Sequence, residues 1–402
     1  MKRVLFVIPY LDSGGAERAL SNITTHFPEE WDINILVNSD KFIDFPFKGE
    51  IISLGIDEKP KTGSILFQLK AFIKRVIALR RLKKQGNYSA CISFLDSANV
   101  ANILAGRFQC RTIVSVRNSL QQQSKLPQYK YIVNPLVRLL YNRADKIVAV
   151  SRGVGEELEN IFHLRKSKIT VIENGYDLYL LNEQARQALT EREEELFQKR
   201  KVVVTVGRLS EQKAQWHLLR AFTKIIRQFP DAFLVIIGKG SMENELKNMA
   251  EKYGIGEQVY FVGYSDNPYK YVSRAEFFVL PSMYEGFPNA LAEAVCLGKA
   301  CIATDFRTGA REILAPQMNL SGEKLEQITE AEYGILTPVC SGRKYPLSLE
   351  ILEEAENLLA DAMLMLLRNP DKLQEYAEKS KLRSRILDID NVVKKWLGVI
   401  DA

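Results

Sequence analysis

Short apolar runs alternate with longer amphipathic stretches along most of the chain. Residues 2–8, 33–37, 90–94, 112–116, 146–150 and 169–172 read as buried strands. The patterns between them have helical spacing, as in residues 16–27, where Leu20 and Ile23 share one face, and in residues 65–84. Strands alternating with helices predict a parallel sheet with helices on both faces. Glu173-Asn174-Gly175-Tyr176-Asp177 is a turn-rich break, followed by a charged helical stretch over 182–201. The alternation then restarts, with strands expected at 202–206, 233–237, 259–262, 277–280 and 300–303 and helices at 214–228 and 243–252. The fold class is therefore α/β, with two similar Rossmann-like halves covering 1–177 and 178–384. Residues 316–347 are polar and long, and are expected to form an insertion loop; helices complete the chain from 349.

A length of 402 residues fits two cores better than one, and 46% hydrophobic with 26% charged residues suits a soluble globular protein. The net charge of +6 permits an anionic partner without selecting one. Five scattered cysteines without a CxxC pair predict reduced thiols in a cytoplasm, and neither disulfides nor zinc. Three histidines are too few for a histidine-rich metal site, and no motif calls for a metal or other cofactor. The apolar run near the N-terminus is too short for a signal peptide, and no segment approaches the ~18–20 apolar residues of a membrane span. Membrane contact is thus expected to be peripheral. Nucleic acid is not an expected partner, since interleaved aromatics and recognition-helix patterns are absent.

The chemistry concentrates in the stretch from Pro281 to Gly298. Pro281 ends a buried strand, Gly286 supplies a turn, and Pro288 stands where a helix can begin. Glu285 falls on the loop and Glu293 in the helix, and the free N–H groups of the helix start suit a phosphate. The carboxyl edge of a parallel sheet is where such ligands bind. Gly207-Arg208-Leu209 and Lys213 follow another strand to the same edge, where Arg forms a planar fork on phosphate and Lys a point charge. Gly263-Tyr264 ends at that edge too, and suits a nucleobase neighbour. In the first half, Gly14 and Gly15 at a strand-to-helix turn let a ligand approach the backbone. The 65–84 helix carries Lys70, Lys74, Arg75, Arg80, Arg81, Lys83 and Lys84 and no acid. It reads either as a sheet-covering helix with a solvated face or as a surface for anionic headgroups or a lipid pyrophosphate.

Gly14-Gly15-Ala16-Glu17-Arg18, Val150-Ser151-Arg152, Asn174-Gly175-Tyr176-Asp177, Gly207-Arg208-Leu209 with Lys213, Gly238-Lys239-Gly240 and Glu285-x7-Glu293 occur in this order. The chain resembles a GT-B glycosyltransferase of family 4, a retaining, nucleotide-sugar-dependent group, over nearly its whole length. With Ser115-Val116-Arg117-Asn118, the set is similar to bacterial enzymes of surface-polysaccharide and lipid-linked glycan synthesis, including lipid-linked N-acetylgalactosaminyl transferases. The resemblance implies two Rossmann-like domains facing each other across a donor/acceptor cleft, with the terminal helix, about 385–402, returning to the first domain. It implies transfer from a UDP-sugar such as UDP-GalNAc, UDP-GlcNAc or UDP-Gal to a lipid-linked or polysaccharide acceptor, as in capsule or O-antigen synthesis, at the inner face of the plasma membrane.

It also implies the roles. Glu285 contacts the donor sugar and Glu293 the ribose. The turn Gly286-Phe287-Pro288-Asn289-Ala290 holds the diphosphate through backbone N–H groups, helped by Arg208 and Lys213, and Gly15 approaches from the other domain. Two positions depart from the family pattern. Ala214 stands where Gly often follows the lysine. Arg117-Asn118 occupy the loop where many members carry a histidine; with Lys70 and Lys74 they are expected on the acceptor side. Rival readings are a nucleotide-sugar epimerase that hydrolyses its donor and a non-catalytic nucleotide-sugar-binding subunit. A dehydrogenase lacks its GxGxxG fingerprint.

Overall fold

The computed structural model describes residues 2–12, 14–57, 65–306, 308–319, 324–343 and 351–402. The chain divides into two compact units, Met1–Gly175 with Ile389–Ala402, and Tyr176–Asp388. Each is built on a seven-stranded sheet.

In the first unit the strands are β1 (Lys2–Val7), β2 (Trp31–Val37), β3 (Glu50–Ser53), β4 (Ala90–Phe94), β5 (Arg111–Val116), β6 (Lys146–Ala149) and β7 (Ile169–Val171). They lie in the order β3-β2-β1-β4-β5-β6-β7, all parallel. The centre is apolar on both faces because helices cover both, which is why these strands read as unbroken hydrophobic runs. Strand order reverses between β1 and β4, the place where doubly wound sheets open a ligand crevice. Leu95, directly after β4, has φ 73° and ψ 150°, a conformation costly for a residue with a side chain and concentrated at functional edges.

The terminal helix Ile389–Asp401 belongs to this unit. Its Ile389, Val392, Trp396 and Ile400 join the core of β1, β2 and β4, and Trp396 packs against Phe94 with ring centroids 5.7 Å apart. Gly175 lies beneath it, where a Cβ would come within 2.7 Å of Ile389.

The second unit repeats the plan with β8 (Lys201–Val206), β9 (Ala232–Ile237), β10 (Val259–Gly263), β11 (Phe277–Leu280), β12 (Ala300–Thr304), β13 (Thr329–Glu330) and β14 (Ile335–Thr337). The order is β10-β9-β8-β11-β12-β14-β13, parallel except for β13. The reversal here lies between β8 and β11.

Two sequence expectations need correction. Residues 316–347 are more than an insertion loop: buried β14 extends the sheet beside β12, and β13 pairs back on it. Part of that stretch, 320–323 and 344–347, lies outside the described residues. The charged stretch 182–201 is two helices, Leu178–Ala185 and Glu191–Lys199. Thr190 starts the second with a reciprocal cap, accepting from the Glu193 N–H while the Glu193 carboxylate accepts from its backbone. All five cysteines are free thiols and buried, and burial pushes Cys110 up to about 11.

Candidate active site

The carboxyl edge of the second sheet gathers the residues singled out above. After β8 the chain turns at Gly207, and its N–H bonds Ile237 O at 2.9 Å; Leu209 N–H bonds Lys239 O at 3.1 Å, and Gly238 N–H bonds Gly263 O at 2.8 Å. These bonds tie the loops after β8, β9 and β10 into one rim. Only glycine fits at 238, where a Cβ would lie 2.0 Å from Gly207 O. Arg208 is exposed on this rim, with no ion-pair partner among the described residues. Gly263 and Tyr264 end it, and the Tyr264 side chain is 62% exposed.

The loop after β8 is also pinned to the loop after β11. Met283 N–H bonds Gln212 O at 2.9 Å, and the Gln212 amide donates to Tyr284 O at 2.9 Å and to Glu285 Oε2 at 3.0 Å. Lys213 Nζ lies 2.5 Å from Glu285 Oε1, an ion pair with side chains 18% and 10% exposed. Ser282 donates to the same oxygen at 3.0 Å, and Thr308 donates to the Glu285 backbone carbonyl. Glu285 is therefore held by three side chains and a lysine. Gln212, Ser282 and Thr308 were not singled out in the sequence, because isolated polar loop residues carry no periodicity. The adjacency of Gln212 to Lys213 was the one available signal.

Next to this pair the helix Asn289–Cys296 begins. Pro288 is its N-cap and makes no side-chain capping bond. Pro288 O accepts from Leu291 and Ala292 at 3.1 Å, so those N–H groups are used. Pro288 has no N–H of its own, so the backbone N–H groups of Gly286, Phe287 and Ala290 are the donors of this turn suited to an anion. Tyr176 OH donates to Asn289 Oδ1 at 2.7 Å and steadies the helix start. Glu293, one turn on, is 5% exposed. Gly309 (φ 95°) closes over the turn, where a Cβ would meet Pro288 Cδ at 2.5 Å. Beneath it, Asp305 and Arg311 form a buried two-pronged ion pair with both contacts 2.6 Å.

Ala214 occupies the left-handed region (φ 52°, ψ 35°) and is fully buried, the conformation a glycine would take without strain. It lets the helix Gln215–Ile226 start directly behind Lys213.

In the first unit, Gly14 caps the helix Gly15–Thr25 without a side-chain bond. Glu17 folds back over Gly14, is 8% exposed, and burial pushes its carboxyl up to about 7. Asn118 is exposed, whereas Arg117 is buried, donating to Asn174 and lying 5.6 Å over the Phe94 ring. Asp96, not singled out earlier, sits at the same edge after β4 and accepts from Tyr129 OH at 3.1 Å.

Lys70 and Lys74 lie on the exposed side of the helix Ile65–Gln85. Two of its seven cations are structural. Arg75 binds Asn38 and Ser97, and Lys83 donates to Asn102, Gly106 O and Thr112 within the core.

Elsewhere, His217, Cys340 and Glu353 are the grouping among the described residues whose donor atoms approach metal-binding distances, all within 4.8 Å. Their bonds are internal: His217 Nδ1 to Glu356 at 2.7 Å, and Ser341 N–H to Glu353 at 2.8 Å. No described helix is long and apolar enough to cross a membrane.

Comparison with known proteins agrees with this architecture. Residues 13–180 match the family described as Glycosyltransferase Family 4, and residues 187–324 match Glycosyl transferases group 1. An uncharacterized glycosyltransferase of Methanocaldococcus jannaschii is 31% identical over 368 residues, 88% of this chain and 89% of that one. A Campylobacter jejuni N-acetylgalactosamine-N,N'-diacetylbacillosaminyl-diphospho-undecaprenol 4-alpha-N-acetylgalactosaminyltransferase is 26% identical over 392 residues, 96% of each chain. Among solved structures, Anabaena HepE in complex with UDP and glucose superposes with a TM-score of 0.75 at 17% identity, covering 100% of both chains, a likeness of fold. With paired doubly wound sheets and matches along both of them, the chain belongs to the family 4 glycosyltransferases of the GT-B fold.

Proposed function

We propose that the chain moves a sugar from a nucleotide-sugar, a UDP-sugar such as UDP-GalNAc, UDP-GlcNAc or UDP-Gal, to a lipid-linked or polysaccharide acceptor in surface-glycan synthesis. The observation that carries the reading is the cluster at the reversal between β8 and β11. It sets Lys213 on Glu285 at 2.5 Å, Arg208 on the rim above, and an uncapped helix start alongside. The second unit then takes the donor, with the sugar at Glu285, the diphosphate at the turn 286–290 with Arg208 and Lys213, the ribose at Glu293 and the base by Gly263-Tyr264. The first unit takes the acceptor, with Gly14 and Gly15 as its ligand-approach turn and Asn118, Arg117, Lys70 and Lys74 on the acceptor side.

As the anomeric bond to the diphosphate breaks, negative charge gathers on the leaving group. Two cations and a helix start stabilise it in place of a metal ion, each such donor contributing on the order of 3 kcal/mol. Lys213 begins paired with Glu285, so it can turn from carboxylate to phosphate without leaving the site. The leaving phosphate takes the acceptor's proton, and the donor's configuration is retained. The acceptor class is supported by the Campylobacter relative, whose name places it on an undecaprenol-linked diphosphate saccharide. Such a substrate puts the enzyme at an anionic membrane surface, on the cytoplasmic side where nucleotide-sugars are made.

The test is a panel of UDP- and GDP-sugars offered with membrane-extracted lipid acceptors, scored for nucleotide release, with and without EDTA. Release from one donor that requires the lipid extract and survives EDTA is expected. Release without acceptor indicates the epimerase or hydrolase reading, and none with any donor indicates a binding subunit.

A further inference from the structure

Between residues 59 and 144 the sequence holds sixteen lysines and arginines and one acid, Asp96, although the whole chain carries only +6. The cationic excess thus lies in one stretch of the first unit, and the remainder is net acidic. Two helices of that stretch show apolar side chains to solvent. One is Ile65–Gln85, with Leu69, Ile73 and Ile77 spaced four apart and 52%, 47% and 63% exposed. The other is the segment after β5, a π-turn Tyr129–Val133 running into the helix Asn134–Leu140. It exposes Leu126 (49%), Tyr131 (69%), Ile132 (60%) and Leu139 (67%), with exposed Lys125, Lys130 and Arg138 among them. Both helices pack against the nearly buried helix Asp96–Leu104.

The second segment is held rigidly outward. Val137 and Leu140 anchor it to the core, the Glu157 carboxylate accepts from Ser119 Oγ and the Gln121 N–H at 2.6 Å each, and Tyr129 is tied to Asp96. The wide π-turn leaves the consecutive Tyr131 and Ile132 both outside; such turns often mark functional positions. Large apolar tips interleaved with Lys125, Lys130 and Arg138, in a stretch 118–144 that itself carries no acid, match the boundary of an anionic bilayer, where apolar groups enter the acyl region and lysines meet headgroups.

We propose that residues 126–139 form a wedge that inserts into an anionic membrane surface, with Tyr131, Ile132 and Leu139 as the buried tips, while Lys70, Lys74, Arg80 and Arg81 supply the longer-range attraction. This rests on the acceptor reading above in one respect: the segment leaves the sheet at the edge that carries Asn118, so a lipid-linked acceptor in that bilayer arrives beside the first unit's own acceptor residues.

The test is co-sedimentation with phosphatidylcholine vesicles containing about a third phosphatidylglycerol. Wild type, a Tyr131→Ser/Ile132→Ser/Leu139→Ser variant and a Lys70→Glu/Lys74→Glu variant are compared at low and high salt. The serine variant is expected to bind at least about 30-fold more weakly at either salt. The glutamate variant is expected to lose binding mainly at low salt. In a third variant, Ile132→Trp, emission should shift to the blue on adding vesicles; the native Trp31, Trp216 and Trp396 are already buried and report little.

Vesicle binding by the serine variant equal to wild type, or no blue shift, overturns the wedge. So does a wild-type dimer that the serine variant breaks, with no vesicle binding by either. Each of these outcomes is independent of acceptor-dependent nucleotide release, so loss of the wedge and loss of the transferase reading are told apart.

Discussion

At the scale of single residues, the site is defined by which charges meet. The Glu-x7-Glu spacing was legible because both carboxylates lie in one continuous stretch. The pairing of Lys213 with Glu285, across 72 residues of sequence, was not, since only the fold brings the loops after β8 and β11 together. The contact between Arg117 and Asn174, across 57 residues of sequence, was likewise out of reach of local pattern, and the fold holds this acceptor-side guanidinium buried at that amide. Glu17 gives a pH signature. Its carboxyl titrates near 7 in the folded chain, chiefly through burial, against about 4.5 when unfolded. The native state therefore binds more protons between those values, and stability falls as pH rises through that window. Glu17→Gln is expected to remove this slope and to be more stable than wild type at pH 8 by on the order of 2–3 kcal/mol. Urea titrations of both at pH 5 and pH 8 check it, and an unchanged slope contradicts the assignment.

At the scale of elements, central strands were readable because burial on both faces leaves an uninterrupted apolar run. β3, β13 and β14 were missed for physical reasons: β3 is a half-exposed edge of four residues, and the other two are two and three residues long within a polar stretch. The helix Ile65–Gln85 was legible as basic and amphipathic, yet its cations divide in a way that only packing shows. Lys83→Ala strands buried acceptors at Asn102, Gly106 and Thr112 and is expected to cost about 3 kcal/mol, whereas exposed Lys84→Ala should cost under about 0.5 kcal/mol. Equal effects in urea unfolding would show that Lys83 is not structural. The loop into Gln215–Ile226 has its own test. Ala214 is left-handed and fully buried, so Ala214→Gly should stay within about 1 kcal/mol of wild type. Ala214→Val, β-branched at positive φ, should lose at least about 2 kcal/mol.

At the scale of the molecule, two doubly wound sheets were apparent from the restart of the α/β alternation after residue 177. The terminal helix is the feature local periodicity could not assign, because an amphipathic pattern does not name the core it covers. In the structure it completes the first unit. Trp396→Ala should cost about 3–5 kcal/mol, as a fully buried aromatic of that core. Trp396→Phe should cost under about 1.5 kcal/mol, since the indole N–H has no hydrogen-bond partner among the described residues. Thermal unfolding followed by circular dichroism separates the two. The proposed transfer depends on one donor molecule lying along the edge of the second sheet, sugar at Glu285 and ribose at Glu293. The most direct measurement is UDP affinity by calorimetry beside turnover, for Glu285→Ala and Glu293→Ala. The expected result is that Glu285→Ala keeps UDP affinity within about threefold of wild type while turnover falls at least about 100-fold, and that Glu293→Ala mainly weakens UDP. Equal UDP affinities in the two variants would contradict it.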